Sequence, residues 1–595
     1  MNLIDWIVLF GTLLFIVLYG AYKTRGSQNI QGYLKGDNNM KWWMIGVSIM
    51  ATQASAITFL STPGQAIEDG MRFIQFYFGL PLAMIIISVT MVPIYYRLKV
   101  YTAYEYLESR FDLKTRTLAA ILFLMLRGLS AGITLYAPSI VLATILGWNI
   151  FLTTTLIGLF VVIYTVSGGT KAVSLTQRQQ MTVIMSGMLL AGGVAYYMLP
   201  EYLSFGDTIN LAGELGKFNM VNVLPADIDS KLPEGVASVD QLSLLQKVNM
   251  VLNDRYNIWT GLIASTFLFL SYFGTDQSQV ARYLGGKSIK ESRMGLIFNG
   301  LLKIPMQFVI LFIGVLVFVF YLFNQPPVFH NQPLYKTALA TEYGATLDSL
   351  NTSYTKVSAE KYAATQQLVK AIEEDSEADK KTARTKVLAL QKEEGSIRNE
   401  VKTTIGQAVP GAKTQDRDFI FLNFVLTYLP HGIIGLLLAV MFSAAMSSMA
   451  SELNALASTT TVDIYKRSVK ADGSDKHYVQ ASQGFTLMWA MLAMVFAMLA
   501  SFAENLIQFV NIVGSLFYGT ILGIFLCAFY IKRVQGTAVF WSALIAEAVV
   551  LACYQFTDIA FLLYNIIGCA LVIVLSLLFQ LFSRGEATVD QGSPG

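Results

Sequence analysis

The sequence predicts an all-α protein that crosses a membrane about thirteen times, and three observations carry that expectation. Hydrophobic residues make up 54% of the 595 and charged ones only 14%, too apolar and too poor in charge for a soluble globular chain. Apolar runs of spanning length recur near 3–22, 43–63, 74–97, 117–147, 150–167, 180–199, 258–276, 294–323, 428–452, 480–502, 506–530, 536–554 and 559–583. With the N-terminus outside, every short basic loop then falls on the cytoplasmic side: Lys23, Arg25, Lys35 and Lys41; Arg97, Lys99, Arg110, Lys114 and Arg116; Lys171 and Arg178; Arg282, Lys287, Lys290 and Arg293; Lys466, Arg467, Lys470 and Lys476; Lys532 and Arg533. One missed or added span would break that alternation. The expected setting is a cell (inner) membrane, with the C-terminus cytoplasmic and the lipid bilayer as solvent.

The first run lacks a basic segment before it and a small-residue cleavage site, and Lys23 and Arg25 follow it, so it reads as a retained helix rather than a leader. The second run contains "GVSIMATQASAITFLSTPG" (46–64), with Thr52, Gln53, Ser55 and Thr58 at mid-span where leucine would be most favourable. Polar groups there suit a helix that is interrupted and lines a site. Ala51 and Ala54 are three apart, and an unwound turn would free their carbonyls. Further on, "FSAAMSSMASELNALASTTTVDIY" places Ala444, Ser447 and Ser448 at i, i+3 and i+4, one face with two hydroxyls and a nearby carbonyl. Hard oxygens of this kind suit a small alkali cation; the plainer reading is serine joining helices by hydrogen bonds.

Two long segments fall outside. Residues 201–256 are mixed and mildly acidic. Residues 326–415 are rich in Ala, Glu, Lys and Gln and nearly free of Gly and Pro, which predicts a solvated helical hairpin, either inert or a docking surface for a protein partner. A formal charge of +3 implies no nucleic-acid partner. Cys527, Cys553 and Cys569 lie in apolar runs, against a disulfide framework or a zinc site, and His330, His431 and His477 read as loop residues. "RYLGGKS" (282–288) lacks the first glycine of a phosphate-binding loop, so no ATPase module is visible. No nucleophile triad, acid/base pair or metal cluster suggests an enzyme.

"ATQASAITFLSTP", "TAYEYLESRFD" (102–112), "GGTKAVSLTQRQQ" (168–180), "DQSQVARYL" (276–284) and "SSMASELNALASTTTVDIYKR" (447–467), in this order, resemble the sodium:solute symporter family over nearly the whole chain apart from 326–415. The resemblance implies a LeuT-type fold of two inverted five-helix repeats with broken first helices. Residues 46–64 would be the first of these and 258–276 its partner. The chain then divides into an extra N-terminal helix (1–25), the first repeat (40–200), an extracytoplasmic segment (201–256), the start of the second repeat (257–325), the insertion (326–415), the remainder of that repeat (416–532) and two C-terminal helices with a short tail (533–595).

Carried over by position, the family's sodium ligands are the carbonyls of Ala51, Ala54 and Ala444 and the hydroxyls of Ser447 and Ser448. A second sodium site found in some members looks altered: its aspartate corresponds to Gln177 and one serine to Ala450, leaving Ser451, with Glu452 as the one nearby carboxylate. That implies one sodium per solute. Substrate positions correspond to Gln53, Ser55, Thr58, Phe73, Tyr77, Tyr272 and Lys303. In the bacterial sialic acid branch the carboxylate-binding arginine corresponds to Ser130, while Arg127 lies one turn earlier; it either meets a substrate carboxylate or forms a structural ion pair. The expected activity is sodium-coupled import of a small organic solute, an acidic sugar, monosaccharide or carboxylate, with the anionic solutes favoured. Energetics pull the other way. One sodium entering down about −100 mV gains ~2.3 kcal/mol, and a tenfold gradient adds ~1.4 kcal/mol, enough for roughly 500-fold accumulation of a neutral solute. A monoanion cancels the voltage contribution and leaves only about tenfold. The competing readings are a sodium-binding sensor and an uncoupled facilitator of the same fold.

Overall fold

The computed structural model describes residues 1–24, 40–98, 100–225, 241–499 and 505–582. Arg25, Lys35, Lys99 and the tail from 583 lie outside the described residues. Among the described residues, eight helices are long and apolar enough to cross a membrane, with three shorter apolar helices beside them. The thirteen sequence runs do not map onto these one to one, because several spans are broken, merged or bent.

Helix α1 (Leu3–Thr24) packs along the bundle exterior. Its Asp5 is fully buried and accepts from Gly432 N–H at 2.6 Å, with His431 Nδ1 2.9 Å away. Helices α2 (Trp42–Gln53) and α3 (Ala56–Asp69) are the two halves of one span. Gly70, at φ +67°, ends α3: Met71 N–H turns to Lys217 O at 2.8 Å, and a Cβ at Gly70 would lie 2.7 Å from that oxygen. The chain returns through α4 (Leu80–Ile86), a π turn (Ile87–Met91) and α5 (Val92–Leu98).

Asp112 caps α6 (Leu113–Leu146) by accepting from Thr115 N–H, and Gly147 closes it in the left-handed region. Helix α7 runs unbroken from Ile150 to Tyr197, where the sequence implies two spans and a basic loop. Thr153 in its first part bonds Ser139 O of α6, and Gln177 in its second part bonds Ser451, so the two parts pack against different stretches of the bundle.

A π turn (Thr260–Ala264) leads into α8 (Ser265–Gly274), which breaks and continues as α9 (Gln277–Leu284). The sequence reading left 277–284 in a loop and counted Arg282 among its surface basic residues. All eight residues of α9 are buried, Arg282 at 1% exposure, because their polar groups face protein rather than lipid. Helix α10 (Ile289–Phe323) leans against α3 so closely that a Cβ at Gly314 would lie 2.4 Å from Pro63 O. On its other side a Cβ at Gly64 of α3 would lie 2.7 Å from Arg417 O.

The insertion forms the expected hairpin, α11 (Gly344–Glu373) and α12 (Glu377–Ala408), turning at Asp375 with φ 50°. It has a core, and a buried Lys361–Glu394 pair at 2.7 Å crosses between the helices. Then follow α13 (Ile433–Thr459), α14 (Asp475–Leu499), α15 (Leu506–Tyr530), α16 (Gly536–Phe556) and α17 (Tyr564–Phe582). Cross-element ion pairs lace both ends of the bundle. At one end Arg116 meets Asp463 at 2.6 Å and Glu108 at 2.7 Å; at the end bearing the insertion Arg417 meets Glu68, and Asn505 bonds Gln65 at 2.6 Å.

Candidate substrate and sodium site

The first break is built by two residues. Ala54 (φ −84°, ψ 83°) and Ser55 (φ −84°, ψ 173°) leave the helical region. Ser55 N–H turns to Gln53 O at 3.1 Å and Thr58 N–H to Ser55 O at 3.0 Å, so the donors that an intact helix would give the carbonyls of Ala51 and Ala54 are diverted. Ser447 on α13 donates across the gap to Ala51 O at 3.0 Å, and Ser448 donates to Ala444 O at 2.8 Å. The five residues of the expected sodium site thus sit together, all at 1% exposure or less. Three carbonyls and two hydroxyls form a neutral set of hard oxygens, the donor chemistry a small alkali cation takes once the hydroxyl protons rotate away.

The second break falls at Thr275 and Asp276. The Asp276 carboxylate caps α9, accepting from Ser278 N–H at 2.9 Å and Ser278 Oγ at 2.6 Å. Its other oxygen accepts from Arg127 and from Tyr518 Oη, the latter at 3.0 Å. Arg127 also donates to Glu452 at 3.0 Å and to Tyr518 Oη at 2.6 Å, and lies 5.4 Å over the Tyr272 ring. One guanidinium is therefore held by two buried carboxylates, Asp276 and Glu452.

A cavity of about 100 Å³ lies between the two breaks, room for several waters at ~10–15 Å³ each or a small solute. Gln53, Ser55, Thr58, Tyr77, Arg127 and Tyr272 line it, as does Ser130. Phe73 and Lys303, expected in the same set, do not. Phe73 stacks behind Phe76 at 5.5 Å, and Lys303 lies 5.9 Å from the Tyr77 ring at 1% exposure. Tyr77 thus separates Lys303 from the cavity. Sequence reasoning missed Phe76, Phe269, Asn511 and Tyr518, which also line it, and Asp276, which orients Arg127. Only Asp276 left a readable signal: an acid directly before "QSQVARYL" is a helix cap at the end of an apolar run.

Around Gln177, Ser48 Oγ donates to Gln177 Oε1 at 2.5 Å, and Gln177 Nε2 donates to Thr52 Oγ1 and to Ser451 Oγ, both at 3.1 Å. Ser451 in turn donates to Ser447 O at 2.9 Å. Ala450 adds no oxygen. The four polar side chains satisfy one another without a charge.

The sodium:solute symporter family model matches residues 33–344 and 397–546. The chain belongs to this family. It is a multi-pass, sodium-coupled solute transporter, and the match omits most of the α11–α12 hairpin. The sodium/sialic acid symporter SiaT of Proteus mirabilis (strain HI4320) is 24% identical over 577 residues, 96% of this chain and 93% of that protein. The human sodium/iodide cotransporter is 27% identical over 300 residues, 50% of this chain and 42% of that protein. The Xenopus laevis sodium-coupled monocarboxylate transporter 1 is 28% identical over 292 residues, 48% of this chain and 41% of that protein. The chain therefore aligns with less than half the length of the last two. A solved structure of a substrate-bound, outward-open Na+-coupled sialic acid symporter has the same fold, with a TM-score of 0.71 at 22% identity over 98% of both chains. Its fold and the paired breaks at 54–55 and 275–276 meet the LeuT-type expectation.

Proposed function

We propose that this symporter imports one small, uncharged, hydroxyl-rich solute of the monosaccharide class with one sodium ion. Its sodium ligands would be Ala51, Ala54, Ala444, Ser447 and Ser448, and the 326–415 hairpin would lie outside a cell membrane with the basic loops inside. The observation that carries the solute class is Arg127, the one cation lining the cavity among the described residues, already bound by Asp276 and Glu452. An incoming carboxylate would have to displace one of two buried anions, leaving it uncompensated. A neutral solute needs no such exchange: Phe76, Tyr77, Phe269 and Tyr272 offer flat apolar walls, and Glu452, Asn511, Thr58 and Ser55 offer acceptors for hydroxyls. The neutral Gln177 network supports a single sodium, and that stoichiometry drives about 500-fold accumulation only for an uncharged solute.

A second reading, an anionic solute, draws support from the names of the relatives, transporters of sialic acid, iodide and monocarboxylates, and from Arg127 Nε, which has no hydrogen-bond partner among the described residues. The test is uptake into proteoliposomes with a panel of neutral monosaccharides, N-acetylneuraminate, pyruvate and iodide, with the reversal potential of the coupled current. The expected result is sodium-dependent uptake of a neutral sugar carrying one charge per solute. Electroneutral, sodium-dependent uptake of an anion alone would overturn it.

A further inference from the structure

A second, larger cavity of about 360 Å³ lies where the α11–α12 hairpin meets the end of the bundle, well apart from the central one. Lys361 reaches it from α11, Arg398 and Lys402 from α12, and Lys217 from the loop that caps α3. Lys361 is paired with Glu394, while Arg398 and Lys402 share a single carboxylate, Asp416, at 2.8 and 3.1 Å. Lys217 donates to the carbonyls of Ile67 and Glu68, both at 2.8 Å, and has no carboxylate of its own. Glu68 belongs to Arg417. Because Arg417 is shared between Glu68 and Asp69, five cations face four carboxylates, and one positive charge is left over around an open space. His330, 3% exposed, also lines it, and its Nδ1 has no hydrogen-bond partner among the described residues.

A second feature keeps the space open. Gly395 stands in the middle of α12, where alanine would be about 1 kcal/mol more favourable, and a Cβ there would meet nothing within 4 Å. Neither turn geometry nor close packing requires glycine at this position. Any larger residue would fill the cavity that the four cations surround.

We propose that this cavity is a second ligand site, taking a small anion with two or more carboxylate oxygens. Arg398, whose Nε and Nη2 are held by Val328 O and Asp416, and Lys402, one turn further along α12, supply positive charge on one side. Lys361 and Lys217 close the other side, and the anion completes the charge that Asp416 and Glu394 leave unbalanced. Lys361, Glu394 and Gly395 lie outside the family match, whereas Lys217, Arg398 and Lys402 lie inside it. The proposal does not depend on the solute carried by the central cavity.

Calorimetric titration of the full-length protein in sodium-free potassium buffer, with succinate, citrate and sulfate as probes, tests it. Wild type is expected to bind a carboxylate probe, with at least tenfold weaker affinity in Gly395→Trp, which blocks the space and keeps every charge, and in Arg398→Gln. Gly395→Trp should retain the sodium-dependent thermal shift of wild type, which separates a blocked site from a misfolded protein. Uptake of the labelled probe into proteoliposomes, abolished by Tyr272→Ala, would identify it as transported solute captured at the entrance; binding without uptake would identify a separate effector. Equal affinity in wild type and both variants, or no binding of any probe at 10-fold millimolar excess over protein, would overturn the proposal.

Discussion

Ser447 and Ser448 are adjacent, yet removing their hydroxyls should have separable effects. Ser448 donates to Ala444 O within its own helix, and that carbonyl also takes a helical N–H, so Ser448→Ala strips nothing of its last partner. Ser447 donates across the break to Ala51 O, whose own helical donor has turned away. Ser447→Ala should therefore cost about 1–3 kcal/mol even without sodium, the usual penalty for a buried polar atom left without a bond. Both variants remove one oxygen from the proposed cation site. If that weakens sodium tenfold, then at a sodium concentration ten times the wild-type Kd the stabilisation by binding falls from ~1.4 to ~0.4 kcal/mol. Thermal melts of the purified protein in NaCl and in KCl at equal ionic strength read both effects. The NaCl–KCl difference should shrink to roughly a third in each variant, and only Ser447→Ala should melt earlier in KCl. A full sodium shift in Ser448→Ala, or equal loss of KCl stability in the two, would refute the reasoning.

Gln177→Asp replaces a neutral hub by a carboxylate facing Ser48, Thr52 and Ser451; reversal potentials should move from one sodium per solute to two, and an unchanged ratio would count against the network as the reason for single coupling. Glu452→Gln releases Nη1 of Arg127 while Asp276 still holds Nη2, so competition assays should show selectivity shifting at least tenfold toward anionic solutes. His330 is pushed down to about 3 by burial and by Arg398 beside it. The unfolded segment takes up a proton as pH falls through about 6.5 while the folded one does not, so stability is lost between there and about 3, amounting to about 2 kcal/mol by pH 5. Hydrogen-exchange protection factors in α11 and α12, taken relative to the intrinsic exchange rate at each pH, should accordingly fall on going from pH 7 to pH 5, and His330→Gln should flatten that response.

The elements the sequence made legible are those with a local signature. Small and polar residues at mid-span marked the break at Ala54–Ser55 within one helix turn, and Ala/Glu/Lys composition marked the hairpin. The serine face of α13 was readable from spacing alone. The partners of Arg127 were not, since Asp276 and Glu452 are 149 and 325 positions away and nothing in the arginine's neighbourhood announces them. Lys303 and Phe73 were misjudged for a related reason: a position on a helix fixes a face, but only tertiary packing put Tyr77 between Lys303 and the cavity. Helix α9 was hidden because its polar residues imitate a loop until the surrounding protein supplies their partners. Helix α7 carries no proline, and the dip in hydropathy around Lys171 and Arg178, which reads as a loop, is helical backbone.

Half-helix α3 is wedged between Gly314 of α10 and the backbone of Arg417, and Arg417 directly follows the aspartate that α12 grips with two cations. Any swing of that half-helix during a transport cycle is transmitted to the α11–α12 rod. Such a rod is a handle. An antibody fragment fastened across α11 and α12 would brake the cycle without touching the cavity, and a fluorophore at its tip would report each stroke at a distance from the chemistry that drives it.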